Sequence, residues 1–153
     1  MINKILKFSF VLIGIVLFSA MNSFAQGKKV VNWTTTAVQQ KDGIHLQVKA
    51  TMDYGFHIWA FNAGGDGSLI NTHLEVTAPK EVLTEWKSKE APKSEMIEFM
   101  EEAPVNYYEN TVTFETIVPA PKGSKQIEVK VLYQTCNAEM CYPPTEETLI
   151  IKL

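Results

Sequence analysis

The chain has 153 residues, of which 46% are hydrophobic and 20% charged, and this is enough for one compact domain with its own core. Its formal net charge is −3 and all 14 basic residues are Lys, so it lacks the Arg side chains that favour bidentate recognition of phosphates or bases. We therefore expect one folded domain that does not bind nucleic acid.

The N-terminus has the pattern of a secretory signal peptide. Two Lys residues precede an apolar run over residues 8–20, which is shorter than the roughly 20 residues of a membrane span, although a retained anchor is the alternative. Small residues after this run predict cleavage before Gln26, giving a signal peptide over residues 1–25 and a mature domain over residues 26–153. The mature chain keeps 12 Lys against 17 acidic residues, a formal charge of −5, and contains no second long apolar run. We expect an exported domain without a membrane span.

Alternation of apolar and polar residues dominates the mature chain and indicates β-strands. A hairpin turn is predicted over residues 40–43, between the first two strands. Seven to nine short strands in about 128 residues fit an all-β, immunoglobulin-like antiparallel sandwich, with a closed barrel as the alternative. The predicted strands cover residues 30–38, 44–52, 56–61, 70–77, 82–86, 112–118, 127–133 and 148–153.

One segment interrupts this rhythm of strands. Residues 87–106 contain two Pro residues and a run rich in Glu, which predicts a long ordered loop with one helical turn. Loops of this length in a compact domain are usually functional or mobile.

The two cysteines, Cys136 and Cys141, are the residues most able to carry chemistry. Export to an oxidising compartment favours a disulfide between them. A bridge that closes so short a loop stabilises the fold by only about 2 kcal/mol, against about 4 kcal/mol for one that spans some 50 residues. From the spacing alone, the disulfide can therefore serve either redox exchange or a purely structural role. A metal site is less favoured because neither Cys has a further Cys or His close in sequence, and we expect no metal and no cofactor.

The cysteine segment resembles a known active site. Tyr133-Gln134, Cys136 and Cys141-Tyr142-Pro143-Pro144 resemble the active-site hairpin of the N-terminal periplasmic domain of the transmembrane thiol:disulfide reductase DsbD. Residues 54–59, Tyr-Gly-Phe-His-Ile-Trp, are similar to a glycine-aromatic segment of the same family. The resemblance extends from about residue 33 to the end. The two cysteines enclose four residues here, one fewer than is common in the family.

The resemblance implies an immunoglobulin-like domain in the periplasm whose Cys136/Cys141 pair carries electrons. The donor would be a membrane-embedded thiol relay. The acceptors would be periplasmic thioredoxin-like proteins that serve disulfide isomerisation or cytochrome c maturation. It also implies that Cys141 forms the bond to the partner and that Cys136 resolves it, as in a thiol:disulfide oxidoreductase. From the residues alone, the alternative is a non-catalytic binding or scaffold module with a structural hairpin disulfide.

Further residues are expected around the cysteines because the family covers its pair with an aromatic from a long cap loop. Phe99 with Glu98 is the best match to the cap, and Phe99 as a core anchor is the alternative. His57 and Trp59 fall where the family places aromatics beside the site, and Tyr142 follows Cys141 directly. His57 would be a neutral hydrogen-bonding residue near the sulfurs or a solvated edge residue, and Trp59 a site or core residue.

Overall fold

A computed structural model describes residues 29–79, 82–97, 103–120 and 123–153. The predicted leader, residues 1–25, lies outside the described residues, as do Glu98 and Phe99 of the predicted cap. The described part of the chain forms eleven strands and no helix, so none of it forms a helix able to span a membrane. The strands are β1 Val31–Gln40, β2 Gly43–Met52, β3 His57–Gly64, β4 His73–Ala78, β5 Lys87–Ser88, β6 Lys93–Glu95, β7 Val105–Glu109, β8 Thr111–Val118, β9 Gln126–Tyr133, β10 Thr135–Cys136 and β11 Thr145–Lys152.

Every strand pairing is antiparallel, which confirms the predicted all-β fold. The hydrogen-bonded strands form three sheets, in the orders β1-β2-β8-β5, β10-β3-β7-β6 and β11-β9-β4. The predicted turn after β1 is the tight β1–β2 hairpin, in which Gln40 pairs with Gly43. Gly43 has a φ of +144°, and a Cβ there would come within 2.5 Å of the Val118 carbonyl oxygen. Only glycine therefore allows β8 to pack this closely against β2.

The main core is formed mostly by the first and third of these sheets, and Ile58, Ala60 and Tyr108 of the second sheet also belong to it. Alternate residues of β2, β8 and β9 are fully buried because each strand places one face inward, as Leu46, Phe114 and Val129 do. Trp33 of β1 joins the two layers, with its ring 6.3 Å from Phe114 of β8 and 5.3 Å from Tyr133 of β9. The alternating apolar residues that identify these strands in the sequence are thus the residues that form the core.

Two predictions about the middle of the chain are wrong. Residues 82–86 do not form a strand: Val82 makes one isolated bridge to Val76, and Thr84 and Glu85 leave the sheet. The long loop predicted over residues 87–106 contains β5, β6 and the start of β7. These strands are too short, or too polar, to show the period of two that longer half-buried strands show.

The second sheet positions the cysteines. β9 leads directly into β10, which leaves the third sheet and pairs with the start of β3 in the second. β11 then returns to pair with β9 along its whole length. The cysteine segment therefore connects two long paired strands, β9 and β11. Through β10 it also pairs with β3 of the second sheet.

Candidate active site at the cysteine hairpin

A disulfide joins Cys136, the last residue of β10, to Cys141, and their Cα atoms are 4.0 Å apart. Thr135 pairs with Ile58 and Cys136 with His57 in the β10–β3 ladder. This pairing fixes the Cys136 side chain on the same face of the sheet as the His57 side chain, because directly opposite residues of two paired strands point the same way.

The turn between the cysteines is held by hydrogen bonds as well as by the bridge. The Asn137 side-chain oxygen accepts hydrogen bonds from the backbone N–H groups of Glu139 and Met140, both at 2.9 Å. The backbone N–H of Asn137 donates to the Met140 carbonyl at 3.0 Å, and that of Tyr142 donates to the Thr135 carbonyl at 2.8 Å. An Asn side chain that bonds the backbone two or three residues on is typical of a tight turn. The hairpin thus has its own set of hydrogen bonds that does not involve sulfur.

The two half-cystines differ in their exposure to solvent. Cys136 is 1% exposed and packs in a small apolar cluster with Trp59, Ala63 and Val105. Cys141 is exposed, and the neighbouring Met140 is 52% exposed. A thiolate of another protein therefore reaches the Cys141 sulfur far more easily than the Cys136 sulfur.

A pocket of about 450 Å³ opens beside the bridge, and both cysteines line it. His57 and Trp59 of β3 and Tyr107 of β7 form its aromatic wall. The His57 ring lies 4.9 Å from the Trp59 ring and 4.9 Å from the Tyr107 ring, measured between centroids. The other walls come from Leu69, Glu95, Ile97, Val105 and the turn residues between the cysteines.

Two buried nitrogens in this aromatic wall lack hydrogen-bond partners among the described residues, Nε2 of His57 and Nε1 of Trp59. Burial lowers the pKa of His57, while the negative charges of Glu95 and Glu109 act in the opposite direction. Burial also raises the pKa of Tyr107, and the Glu95 charge adds to that effect. At neutral pH the wall therefore presents an uncharged imidazole and an uncharged phenol to the sulfurs.

Comparison with known proteins places the chain in a family. The family model described as thiol:disulfide interchange protein DsbD, N-terminal, matches residues 23–152. The chain belongs to this family. The comparison with curated protein sequences finds no match.

Solved structures related to the DsbD N-terminal family share its fold. The reduced DsbD N-terminal domain of Neisseria meningitidis aligns with a TM-score of 0.55 and 15% identity, over 86% of this chain and 92% of that one. The DsbD domain in the N. meningitidis complex of the DsbD and PilB N-terminal domains aligns with a TM-score of 0.51 and 15% identity, over 84% of this chain and 88% of that one. The N-terminal periplasmic domain of ScsB from Proteus mirabilis aligns with a TM-score of 0.60 and 13% identity. The alignment covers 85% of this chain and 49% of that one. These likenesses confirm the predicted immunoglobulin-like sandwich of the DsbD N-terminal domain.

The structure brings some of the residues expected from the DsbD resemblance together at the bridge. His57 and Trp59 line the pocket, and Trp59 is also core, since it is 5% exposed. Tyr142 lies outside the pocket wall, with its ring 6.1 Å from that of Phe56. The expected cap residues Glu98 and Phe99 lie outside the described residues, but Ile97, directly before them, lines the pocket.

Outside the cysteine turn, sequence reasoning did not assign five of the pocket residues to the site: Leu69, Glu95, Ile97, Val105 and Tyr107. Tyr107 carries a signal that was available, since Val105, Tyr107 and Glu109 alternate on β7 and place one aromatic toward the site. Leu69 and Ile97 carry none, because each is a single apolar residue in a loop and reaches the bridge only through the fold.

A second, larger groove of about 670 Å³ lies along β1, β2 and β8, with exposed Val38 and Leu83 at its sides. Neither cysteine lines it. Within the described residues no group of three or more His, Cys, Asp or Glu side chains is placed to bind a metal ion.

Proposed function

We propose that this domain performs thiol–disulfide exchange in the periplasm through Cys136 and Cys141, taking electrons from a membrane-embedded thiol relay and passing them to thioredoxin-like partners. The observation that carries the proposal is the unequal burial of the two sulfurs in one hydrogen-bonded hairpin. In such a pair the exposed sulfur can form a mixed disulfide with the partner, and the buried sulfur can then resolve it. Membership of the DsbD N-terminal family supports the chemistry, and the DsbD–PilB complex supports another protein domain as partner.

The exchange begins with the domain in its reduced state. The Cys141 thiolate attacks a disulfide of the acceptor, forms a mixed disulfide and releases one acceptor thiolate. The Cys136 thiol then loses its proton and attacks the Cys141 sulfur, which re-forms the Cys136–Cys141 bridge and releases the second acceptor thiolate. The acceptor gains two electrons and two protons, and the membrane relay restores the domain by the reverse sequence. Serving cytochrome c maturation or disulfide isomerisation depends on which acceptor is present.

Trapping tests the two roles. The Cys136→Ala variant, mixed in its reduced form with an oxidised thioredoxin-like protein, should accumulate a stable mixed disulfide through Cys141. Alanine is preferred to serine at this position, since Cys136 is buried and a hydroxyl there would add an unpaired polar group. The Cys141→Ser variant, in which an exposed residue changes, should give no adduct. Adducts only through Cys136 would reverse the roles.

The reduction potential decides between exchange and a structural bridge. A carrier must equilibrate with thioredoxin-like proteins, whereas structural disulfides generally lie below about −300 mV. A potential in that lower range, with no adduct from either variant, would favour the scaffold module.

A further inference from the structure

His57 is the residue directly opposite the buried cysteine. Cys136 and His57 are partners in the antiparallel β10–β3 ladder, where opposite Cβ atoms are about 4.5–5.5 Å apart. Both side chains line the same pocket. Within the described ranges, the exposed Cys141 lies outside the named strands and forms an isolated bridge to Cys136.

Neighbouring rings hold the His57 ring in place, but its Nε2 makes no hydrogen bond within the described residues. Trp59 and Tyr107 contact it, which limits its rotation. Nε2 is buried and finds no partner anywhere in the described ranges of the chain. Leaving a buried polar atom unpaired destabilises the folded state, and a role in redox chemistry or catalysis is one explanation for such an atom.

The groups that face this imidazole keep it available to accept a proton. Glu95 of β6 and Glu109 of β7 are the carboxylates that act on it, and Tyr107 is its titratable ring neighbour. Lys93 of β6 forms an ion pair with Glu109, and its charge also acts on Glu95. Tyr107 interacts with the Glu95 carboxylate through a side-chain hydrogen bond. From the hairpin, Glu139 lines the same pocket. Burial outweighs these acidic charges and lowers the pKa of His57, so the ring is neutral at pH 7.

We propose that His57 takes the proton from the Cys136 thiol when that sulfur attacks the mixed disulfide at Cys141. The inference rests on the proposed exchange reaction and assigns one of its steps. The S–H bond of Cys136 breaks, its proton moves to the imidazole, and the new Cys136–Cys141 bond forms as the partner's thiolate leaves from Cys141. In the reverse reaction the imidazolium returns this proton to Cys136 as the bridge opens. A buried thiol without a cationic neighbour ionises poorly by itself, and a proton acceptor beside it overcomes this.

Oxidised glutathione is the probe for the test. The reduced domain forms a glutathione adduct at Cys141, and Cys136 then releases the glutathione and closes the bridge. Samples quenched in acid at successive times and weighed by mass spectrometry give the rates of both steps. Two variants are compared with the unmodified domain: His57→Phe keeps a ring against Trp59 and Tyr107, and His57→Gln keeps a polar group. His73→Gln is the matched control, because His73 is exposed on β4 and lines neither pocket.

Both His57 variants should slow the second step at pH 7 at least about tenfold, since a positioned base contributes about 10²–10⁴-fold. Adduct formation should stay unchanged, and so should both steps in His73→Gln. The deficit should shrink as the pH is raised, because a growing fraction of the thiol then ionises without a base. Closure rates equal to those of the unmodified domain at every pH, in a folded variant, would refute the role of His57. If the unmodified domain formed no adduct at all, the exchange function would itself fail, and this inference with it.

Discussion

Opening the Cys136–Cys141 bridge should lower the free energy of unfolding by about 2 kcal/mol and leave the fold intact. The bridge closes a loop of six residues, and loop-closure entropy for that length gives this value. The main core draws most of its residues from β2, β8 and β9, and Cys136 belongs instead to the smaller cluster around Trp59. The turn also keeps the hydrogen bonds of Asn137 and Tyr142 when the sulfurs separate. Reduction therefore removes a restraint on the unfolded chain more than a contact in the folded one.

Urea unfolding of the same protein with and without a phosphine reductant measures this difference without any mutation. With a slope of about 1–3 kcal/mol per molar urea, the midpoint should fall by roughly 1 M on reduction. The Cys136→Ala/Cys141→Ala double variant is the control, and reductant should not move its midpoint. A reduced protein that is unfolded in the absence of urea would refute the reasoning. So would a loss of about 4 kcal/mol or more, the size expected of a bridge that ties distant strands.

Four further predictions concern the pocket wall, the expected cap, the mature N-terminus and pH. Ile97→Ala should speed reduction of the bridge by a small phosphine with little change in melting temperature, whereas Met96→Ala, at the adjacent exposed position, should not. If Phe99 covers the sulfurs, Phe99→Ala should act like Ile97→Ala, and a large loss of stability at an unchanged reduction rate would assign it to the core. Mass spectrometry of the exported protein should find Gln26 at the N-terminus, and an intact leader would contradict the predicted cleavage. Because burial lowers the pKa of His57, the unfolded chain gains a proton below about pH 6.5 that the folded chain resists, so stability falls there. His57→Phe should therefore lose less stability than the unmodified domain between about pH 7.5 and about pH 5.5, and equal losses by urea unfolding would contradict this.

The long strands were predictable because burial of one face requires an apolar residue at every second position of the sequence. β2 and β8 place a buried residue at every second position, and their observed limits agree with the predicted ones within a residue or two. Residues 82–86 have a similar composition but do not form the predicted strand, and pairing with β8 begins only at Lys87. Strands of two or three residues, such as β10, have no period to detect.

The site was predictable only in part. The cysteines and their flanking motif identify the hairpin, and the glycine-aromatic segment brings in His57 and Trp59. The unequal burial of Cys136 and Cys141 has no counterpart in the sequence, because it arises when β10 leaves the third sheet to pair with β3. Which sulfur is accessible is therefore a property of the tertiary fold.

The burial of Cys136 has a consequence for how the domain meets its partners. In the proposed exchange, with Cys136 buried, donor and acceptor both react at the exposed Cys141, and two proteins cannot occupy the same atom at once. Each cycle then consists of two separate encounters, and the oxidised or reduced domain must part from one protein before it engages the other. Steady-state rates should follow ping-pong kinetics, with parallel double-reciprocal lines as either protein is varied. A high concentration of either partner in its spent redox form would react at the same sulfur in the reverse direction and slow the net flow of electrons from donor to acceptor.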